Sequence, residues 1–73
     1  MITIEDIKIV EMLGEVIGKK DPVLYLEEKN GSWIYEINSN GEMLERGNLG
    51  ELSQLERIKE FCEREEIPII IKD

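Results

Sequence analysis

The sequence predicts an α+β fold: a helix, a three-stranded antiparallel meander, a second helix and a final strand. Three observations carry this prediction. Apolar residues recur at helical spacing in two stretches, two Asn-Gly pairs separate runs of strand-forming residues, and residues 67–71 form a wholly apolar run. A chain of 73 residues is short for more than one core, so we expect a single domain over residues 1–73.

The first helix is expected over residues 4–17. Thr3-x-x-Asp6 resembles a capping box, with Asp in place of the usual Glu. Apolar residues then recur at helical spacing: Ile4, Ile7, Val10, Leu13, Val16 and Ile17. Gly18 supplies a C-terminal stop. Gly14 and the β-branched residues before it disfavour a helix, so a strand in this region is the alternative.

Two strands are expected to form a hairpin around Asn30-Gly31. An Asn-Gly pair between two strand-forming runs is the strongest short-range signal for a two-residue hairpin turn. Because side chains alternate along a strand, this register divides the hairpin into two faces. One face carries Leu24, Leu26, Trp33, Tyr35 and Ile37. The other carries Val23, Tyr25, Glu27, Ile34 and Glu36.

A second Asn-Gly pair, Asn40-Gly41, leads into a short third strand over about residues 42–46. A two-residue turn here puts Leu44 on the core face. The same register sets Glu36 opposite Glu45, which is unfavourable. A three-residue loop with Gly41 in a bulge is the alternative, so the sequence leaves this register open.

The second helix is expected after two competing N-caps, Asn48-x-x-Glu51 and Ser53-x-x-Glu56. Its apolar stripe comprises Leu52, Leu55, Ile58, Phe61 and Cys62. Pro68 ends this helix, and the β-branched run around it predicts a short strand buried on both faces. Among the pairings left open for this strand, a right-handed crossover favours sheet order 3-2-1-4, a mixed sheet with both helices on one face.

The charge of the chain restricts its partners. Nine basic residues against seventeen acidic residues give a net charge of −8. Such a chain repels phosphate backbones and anionic membranes and attracts basic proteins. No basic stripe with interleaved aromatic residues is present, so we expect neither direct nucleic-acid binding nor membrane binding. The acidic N-terminal residues and the single cysteine predict a cytoplasmic protein.

The residue types that most catalytic and metal sites require are scarce. The chain has no histidine, and its one thiol, Cys62, has acidic neighbours that disfavour a reactive thiolate. Residues 36–41 imitate the start of an EF-hand calcium loop, but Gly47 stands where a bidentate glutamate is required. We therefore predict no catalytic, cofactor-binding or metal-binding residue, and we expect the chain not to be an enzyme.

If both helices cover the face that contains Leu24, the opposite face of the sheet is left partly bare. An apolar patch rimmed by acids is more than a small monomer usually exposes. We therefore predict a small acidic non-catalytic protein-interaction module: an adaptor, inhibitor or regulatory subunit. Its candidate interaction face comprises Val23, Tyr25, Glu27, Ile34 and Glu36. The expected partner is another protein, either a second copy in a homodimer or a basic protein.

Two other functions stay open on the sequence alone. Three rows of glutamate could imitate phosphates to a basic partner: Glu27/Glu28, Glu42/Glu45 and Glu63/Glu65/Glu66. The chain would then be a nucleic-acid mimic or a modulator of a basic nucleic-acid-binding protein. An enzyme that uses carboxylates alone, or with a divalent metal, is the weaker alternative. The identity of the partner and the oligomeric state do not follow from the residues.

Overall fold

Two helices pack on one face of a four-stranded mixed sheet. The computed structural model describes residues 1–72. The elements in chain order are α1 (Ile4–Ile17), β1 (Pro22–Lys29), β2 (Ser32–Ser39), β3 (Glu42–Gly50), α2 (Leu55–Arg64) and β4 (Ile69–Lys72). The strand order is β3-β2-β1-β4, and β1 is antiparallel to β2 and parallel to β4. The predicted fold class, element order and sheet order are confirmed.

The capping box at the start of α1 is present, so this region is a helix and not the alternative strand. The backbone N–H of Asp6 donates to Thr3 Oγ1 at 3.1 Å, and the backbone N–H of Thr3 donates to Asp6 Oδ2 at 2.8 Å. The Gln54 side chain also donates to Asp6, at 2.7 Å. The Thr3 backbone first, and then Gln54, lower the pKa of Asp6, because both donate to the charged carboxylate.

A carboxylate from α1 caps the start of α2. The N-cap position of α2 is Gln54, whose side chain makes no capping hydrogen bond. Instead, Glu5 Oε2 accepts from the backbone N–H groups of Ser53 at 3.0 Å and Gln54 at 3.1 Å. The predicted N-caps at Asn48 and Ser53 are therefore wrong. The positive end of the α2 helix dipole also attracts a carboxylate at this place.

Replacing Glu5 with alanine should lower the free energy of unfolding by about 1–2 kcal/mol, because the orphan N–H groups at the start of α2 lose their acceptor. The free energy is measured by urea unfolding at fixed protein concentration. Glu11→Ala is the matched control, since Glu11 lies on the same helix and is exposed. Equal losses in the two variants would show that Glu5 does not cap α2.

A bulge in β3 resolves the register of the second hairpin. The turn is the two-residue turn at Asn40-Gly41, but the register then shifts, so that Glu36 pairs with Arg46 and not with Glu45. The shift replaces an opposition of like charges by a pair of opposite charges. It also turns Leu44 out of the core, where it is 46% exposed. The register that placed Leu44 on the core face is therefore wrong.

The core lies between the helix layer and the inner face of the sheet. Its buried residues are Ile9, Met12, Leu13, Val16, Leu24, Leu26, Trp33, Ile37, Leu49, Ile58, Cys62 and Ile67. Tyr35 packs against this cluster and stays partly exposed. In β4, Ile69 and Ile71 also pack against the core, but Ile70 is 42% exposed. The expectation that β4 is buried on both faces is therefore wrong, because only one face of the sheet carries helices.

Candidate interaction face

The residues that alternate with the core positions of the strands form the outer face of the sheet. We define the outer face by Val23, Tyr25, Glu27 and Lys29 of β1, Ile34, Glu36 and Asn38 of β2, Met43, Arg46 and Asn48 of β3, and Ile70 and Lys72 of β4. Each of these side chains is partly or fully exposed, and no element of residues 1–72 covers them. All five residues of the predicted interaction face lie on this surface.

Strand pairing arranges the outer face in rows that mix apolar and charged side chains. From β3 to β4, one row reads Arg46, Glu36, Tyr25 and Ile70, and the next reads Asn48, Ile34, Glu27 and Lys72. Tyr25 thus lies between Glu36 and Ile70, near the centre of the sheet. A partner that packs on this surface would contact apolar side chains and charges of both signs.

The outer face does not share the acidity of the rest of the chain. It carries three bases, Lys29, Arg46 and Lys72, against the two acids Glu27 and Glu36, so its formal charge is +1. The net charge of the whole sequence is −8, so the remaining residues together carry −9. An acidic protein can therefore approach the outer face without the repulsion that it meets elsewhere.

A depression of about 340 Å³ lies at the centre of the outer face and is partly open to solvent. Its lining comprises Tyr25, Leu26, Glu27, Ile34, Glu36, Asn38, Arg46 and Lys72. Asn38 Nδ2 donates to Glu36 Oε2 at 3.2 Å, and Lys29 Nζ lies 3.9 Å from Glu27 Oε1. Such exposed contacts are weak, so the charged groups can pair with a partner instead. Small-molecule sites are lined mostly by apolar side chains, whereas five of these eight residues are charged or carry an amide, so the lining favours a protein surface.

The sequence alone did not place two basic residues, Arg46 and Lys72, on the outer face. Arg46 was missed because the register of the second hairpin was left open, although the preference of Glu36 for an opposite charge was a usable signal. Lys72 was missed because the pairing of the last strand was open. Once β4 pairs with β1 in parallel, alternation from Ile70 puts Lys72 on the outer face beside Glu27.

The single thiol of the chain lies on the inner side of the sheet. Cys62 is fully buried in α2, and burial raises the pKa of its thiol. A buried thiol of this kind packs as a small apolar side chain. Asn38, inside the segment that imitates a calcium loop, instead hydrogen-bonds Glu36 within β2. Across residues 1–72, no three carboxylate or thiol side chains are placed to share a metal ion.

The Tyr35 hydroxyl contacts a carboxylate beside a groove. Its Oη donates to Glu45 Oε2 at 3.3 Å, in a groove of about 430 Å³ between α1 and β3. The ring lies over Gly47, where a Cβ would come within 2.6 Å of it. Burial first, and then the Glu45 carboxylate, raise the pKa of Tyr35, so the phenol keeps its proton at neutral pH. The hydrogen bond between Tyr35 and Glu45 holds the tyrosine ring in place, and a protonated phenol is not an activated nucleophile.

Comparison with known proteins gives no relative from which a function could be transferred. No protein-family model, no curated protein and no solved structure matches the chain. Neither α1 nor α2, the two helices of residues 1–72, combines the length and the apolar composition needed to cross a lipid bilayer. The outer face and the charge of the remaining surface are therefore the basis for inferring a function.

Proposed function

We propose that the chain is a small acidic, non-catalytic protein-interaction module, and that its outer face packs against the outer face of a second copy. The observation that carries this proposal is the uncovered outer face, with Tyr25 and Ile34 near its centre. Exposed apolar side chains with charged side chains around them mark sites of protein contact. A 73-residue chain also buries a small core, so association would add stability that the monomer lacks.

The outer face is large enough for a specific interface. Three of its strands have eight or nine residues. With strands about 4.8 Å apart and a rise of about 3.3 Å per residue, four strands cover roughly 500 Å² in projection. Two such faces in contact would bury roughly 1,000 Å² or more, which reaches the range of specific protein interfaces.

The distribution of charge favours face-to-face contact between two copies. In most other orientations of two copies, acidic surfaces would face each other and repel. On the outer face, Glu36 or Glu27 of one copy can lie against a lysine or arginine of the other. Sheets that stack face to face lie about 10 Å apart, which leaves both helix layers, and the acids that they carry, on the outside of the pair.

The proposal is tested by the solution mass of the chain over a concentration series from low micromolar to millimolar, at low and at high salt. We expect the mass to rise with concentration from the monomer value of 8.5 kDa to at least twice that value. Salt should strengthen the association, because screening weakens the repulsion between the acidic remainders of the two copies. A mass of 8.5 kDa under every condition would contradict the proposal.

The acidic remainder supports a basic protein as a further partner, and nucleic-acid mimicry is the alternative function. Binding of this kind would weaken steeply with salt, which is opposite to the dependence expected for self-association. The glutamate rows give mimicry less support than the outer face gives self-association. Glu27 lies beside Lys72 on the outer face, whereas Glu45 contacts Tyr35 on the inner side.

We further propose a cytoplasmic location, because the single cysteine is a free thiol.

A further inference from the structure

The exposed side of α1 carries a second apolar surface. We define the helix stripe by Ile7, Val10, Gly14 and Ile17. Ile7, Val10 and Ile17 are 49%, 68% and 52% exposed. They point away from the side of α1 that packs on the sheet. A helix that is apolar on more than one side normally packs on more than one side. Within residues 1–72 the stripe is only partly covered: Val10 borders a groove that Arg57 and Phe61 of α2 also line, and Ile17 borders one that Glu65 and Ile67 line.

Gly14 lies in the middle of the helix stripe, where packing inside residues 1–72 does not require a glycine. A Cβ at this position would meet no atom within 4 Å, so no close approach inside residues 1–72 requires glycine. Glycine in a helix interior is destabilising relative to alanine. A glycine on an exposed helix face leaves a shallow gap into which the side chain of another helix can fit, as small residues do where helices pack closely.

We propose that the helix stripe packs antiparallel against the helix stripe of a second copy. The spacing between positions 7, 10, 14 and 17 is three, four and three, which reads the same in both directions. A two-fold axis through the middle of the stripe therefore sets Val10 of each copy opposite Gly14 of the other. It also sets Ile7 opposite Ile17. A contact between identical surfaces requires this kind of self-complementarity.

The charges at the two ends of α1 favour the antiparallel arrangement. Glu5 and Asp6 lie in the first turn, where both hydrogen-bond the start of α2. Lys19 and Lys20 follow the last turn, where Lys19 pairs with Glu15. In an antiparallel pair, the acidic end of one helix lies near the basic end of the other, so that net charge and the helix dipoles attract without new ion pairs. A parallel pair would oppose like charges and would set Val10 against Val10, with no gap to receive it.

The helix stripe is a smaller contact than the outer face. A helix of fourteen residues is about 21 Å long, and a single helix pair buries less surface than a four-stranded sheet. The stripe belongs to the helix layer and the outer face to the opposite layer. Each chain can therefore use both contacts at once, so that dimers join into larger assemblies. This inference goes beyond the proposed function and does not depend on it.

Two single variants and their combination test the two contacts separately by sedimentation equilibrium up to millimolar concentration. Val10→Glu puts a charge in the helix stripe, and Tyr25→Glu puts one in the outer face. Ile2→Glu is the control, because Ile2 is 78% exposed, precedes α1, lies outside both defined surfaces and gives the same change of charge. We expect each single variant to reach a dimer, the double variant to stay at 8.5 kDa, and the unaltered chain and Ile2→Glu to exceed a dimer.

The failures of the two contacts are distinguishable in this experiment. A monomeric Tyr25→Glu variant at every concentration would overturn the helix-stripe contact and leave the outer face as the only one. A monomeric Val10→Glu variant would overturn the outer-face contact of the proposed function and leave the helix stripe. If the double variant still forms a dimer, neither contact is the one that the chain uses.

A substitution at Gly14 separates a role in association from a role in folding. Gly14→Leu fills the gap that Val10 of the other copy would enter. In the Tyr25→Glu background, the dissociation constant should rise about tenfold or more, which is the effect of losing one well-packed contact. The melting temperature of the dilute monomer should rise or stay unchanged, because leucine favours a helix. An unchanged dissociation constant would overturn the contact between Val10 and Gly14.

Discussion

Replacing Tyr25 with glutamate should weaken the outer-face dimer about a hundredfold or more. Tyr25 lies in the central row of the sheet, between Glu36 and Ile70. A new carboxylate there would be buried in the dimer beside Glu36, without a partner of opposite charge. Leaving a charge unpaired in an interface costs about 2–5 kcal/mol, and about 2.7 kcal/mol corresponds to a hundredfold change.

This dissociation constant is best measured in the Val10→Glu background, where only the outer face is left to associate. Tyr25 is partly exposed in the monomer, so the variant should keep its helix content and melting temperature at low micromolar concentration. Ile2→Glu in the same background controls for the added charge, because Ile2 lies outside the sheet, and it should associate nearly as well as the parent. Equal dissociation constants for Tyr25→Glu and Ile2→Glu would exclude the outer face as the contact.

Replacing Leu24 with alanine should lower the free energy of unfolding by about 2–5 kcal/mol. Leu24 is fully buried in β1, where it pairs with Ile37 on one side and Ile69 on the other. The cavity would therefore lie between the helices and the centre of the sheet. A chain of this length has a total stability of about 4–11 kcal/mol, so the substitution would remove a large share of the total.

Urea unfolding at one fixed protein concentration measures this loss, because association would otherwise add to the apparent stability. Leu44→Ala is the matched control. Leu44 is the same residue type, but the bulge in β3 leaves it 46% exposed, so its loss should be below about 1 kcal/mol. Similar losses for Leu24 and Leu44 would contradict the assignment of inner and outer positions on which the outer face depends.

The sequence was sufficient to predict the parts of the fold that depend on local signals. The Asn30-Gly31 turn fixed the register of β1 and β2, and this register alone determined that Tyr25 and Ile34 share a face. The element order and the handedness of the crossover then gave the sheet order. The five predicted interface residues all lie on these two strands, so their placement needed no other information.

The remaining features depend on contacts between distant parts of the chain. Glu5 caps α2 across 48 positions, so the motifs near Asn48 and Ser53 could not reveal it. The bulge that exposes Leu44 reflects a balance between a local distortion of the strand and the opposition of two glutamates, which pattern alone does not weigh. Ile70 points outward because no helix among residues 1–72 covers that face. The apolar run of residues 67–71 does not by itself predict whether both faces of β4 are covered.

Amide and methyl NMR spectra of the Val10→Glu variant, recorded over a dilution series, test the central claim most directly. If the outer face is the contact, signals of Val23, Tyr25 and Ile34 should shift together with concentration, while signals of the exposed α2 residues Glu56 and Glu60 stay fixed. Spectra that do not change up to millimolar concentration, or shifts confined to α2, would contradict the account.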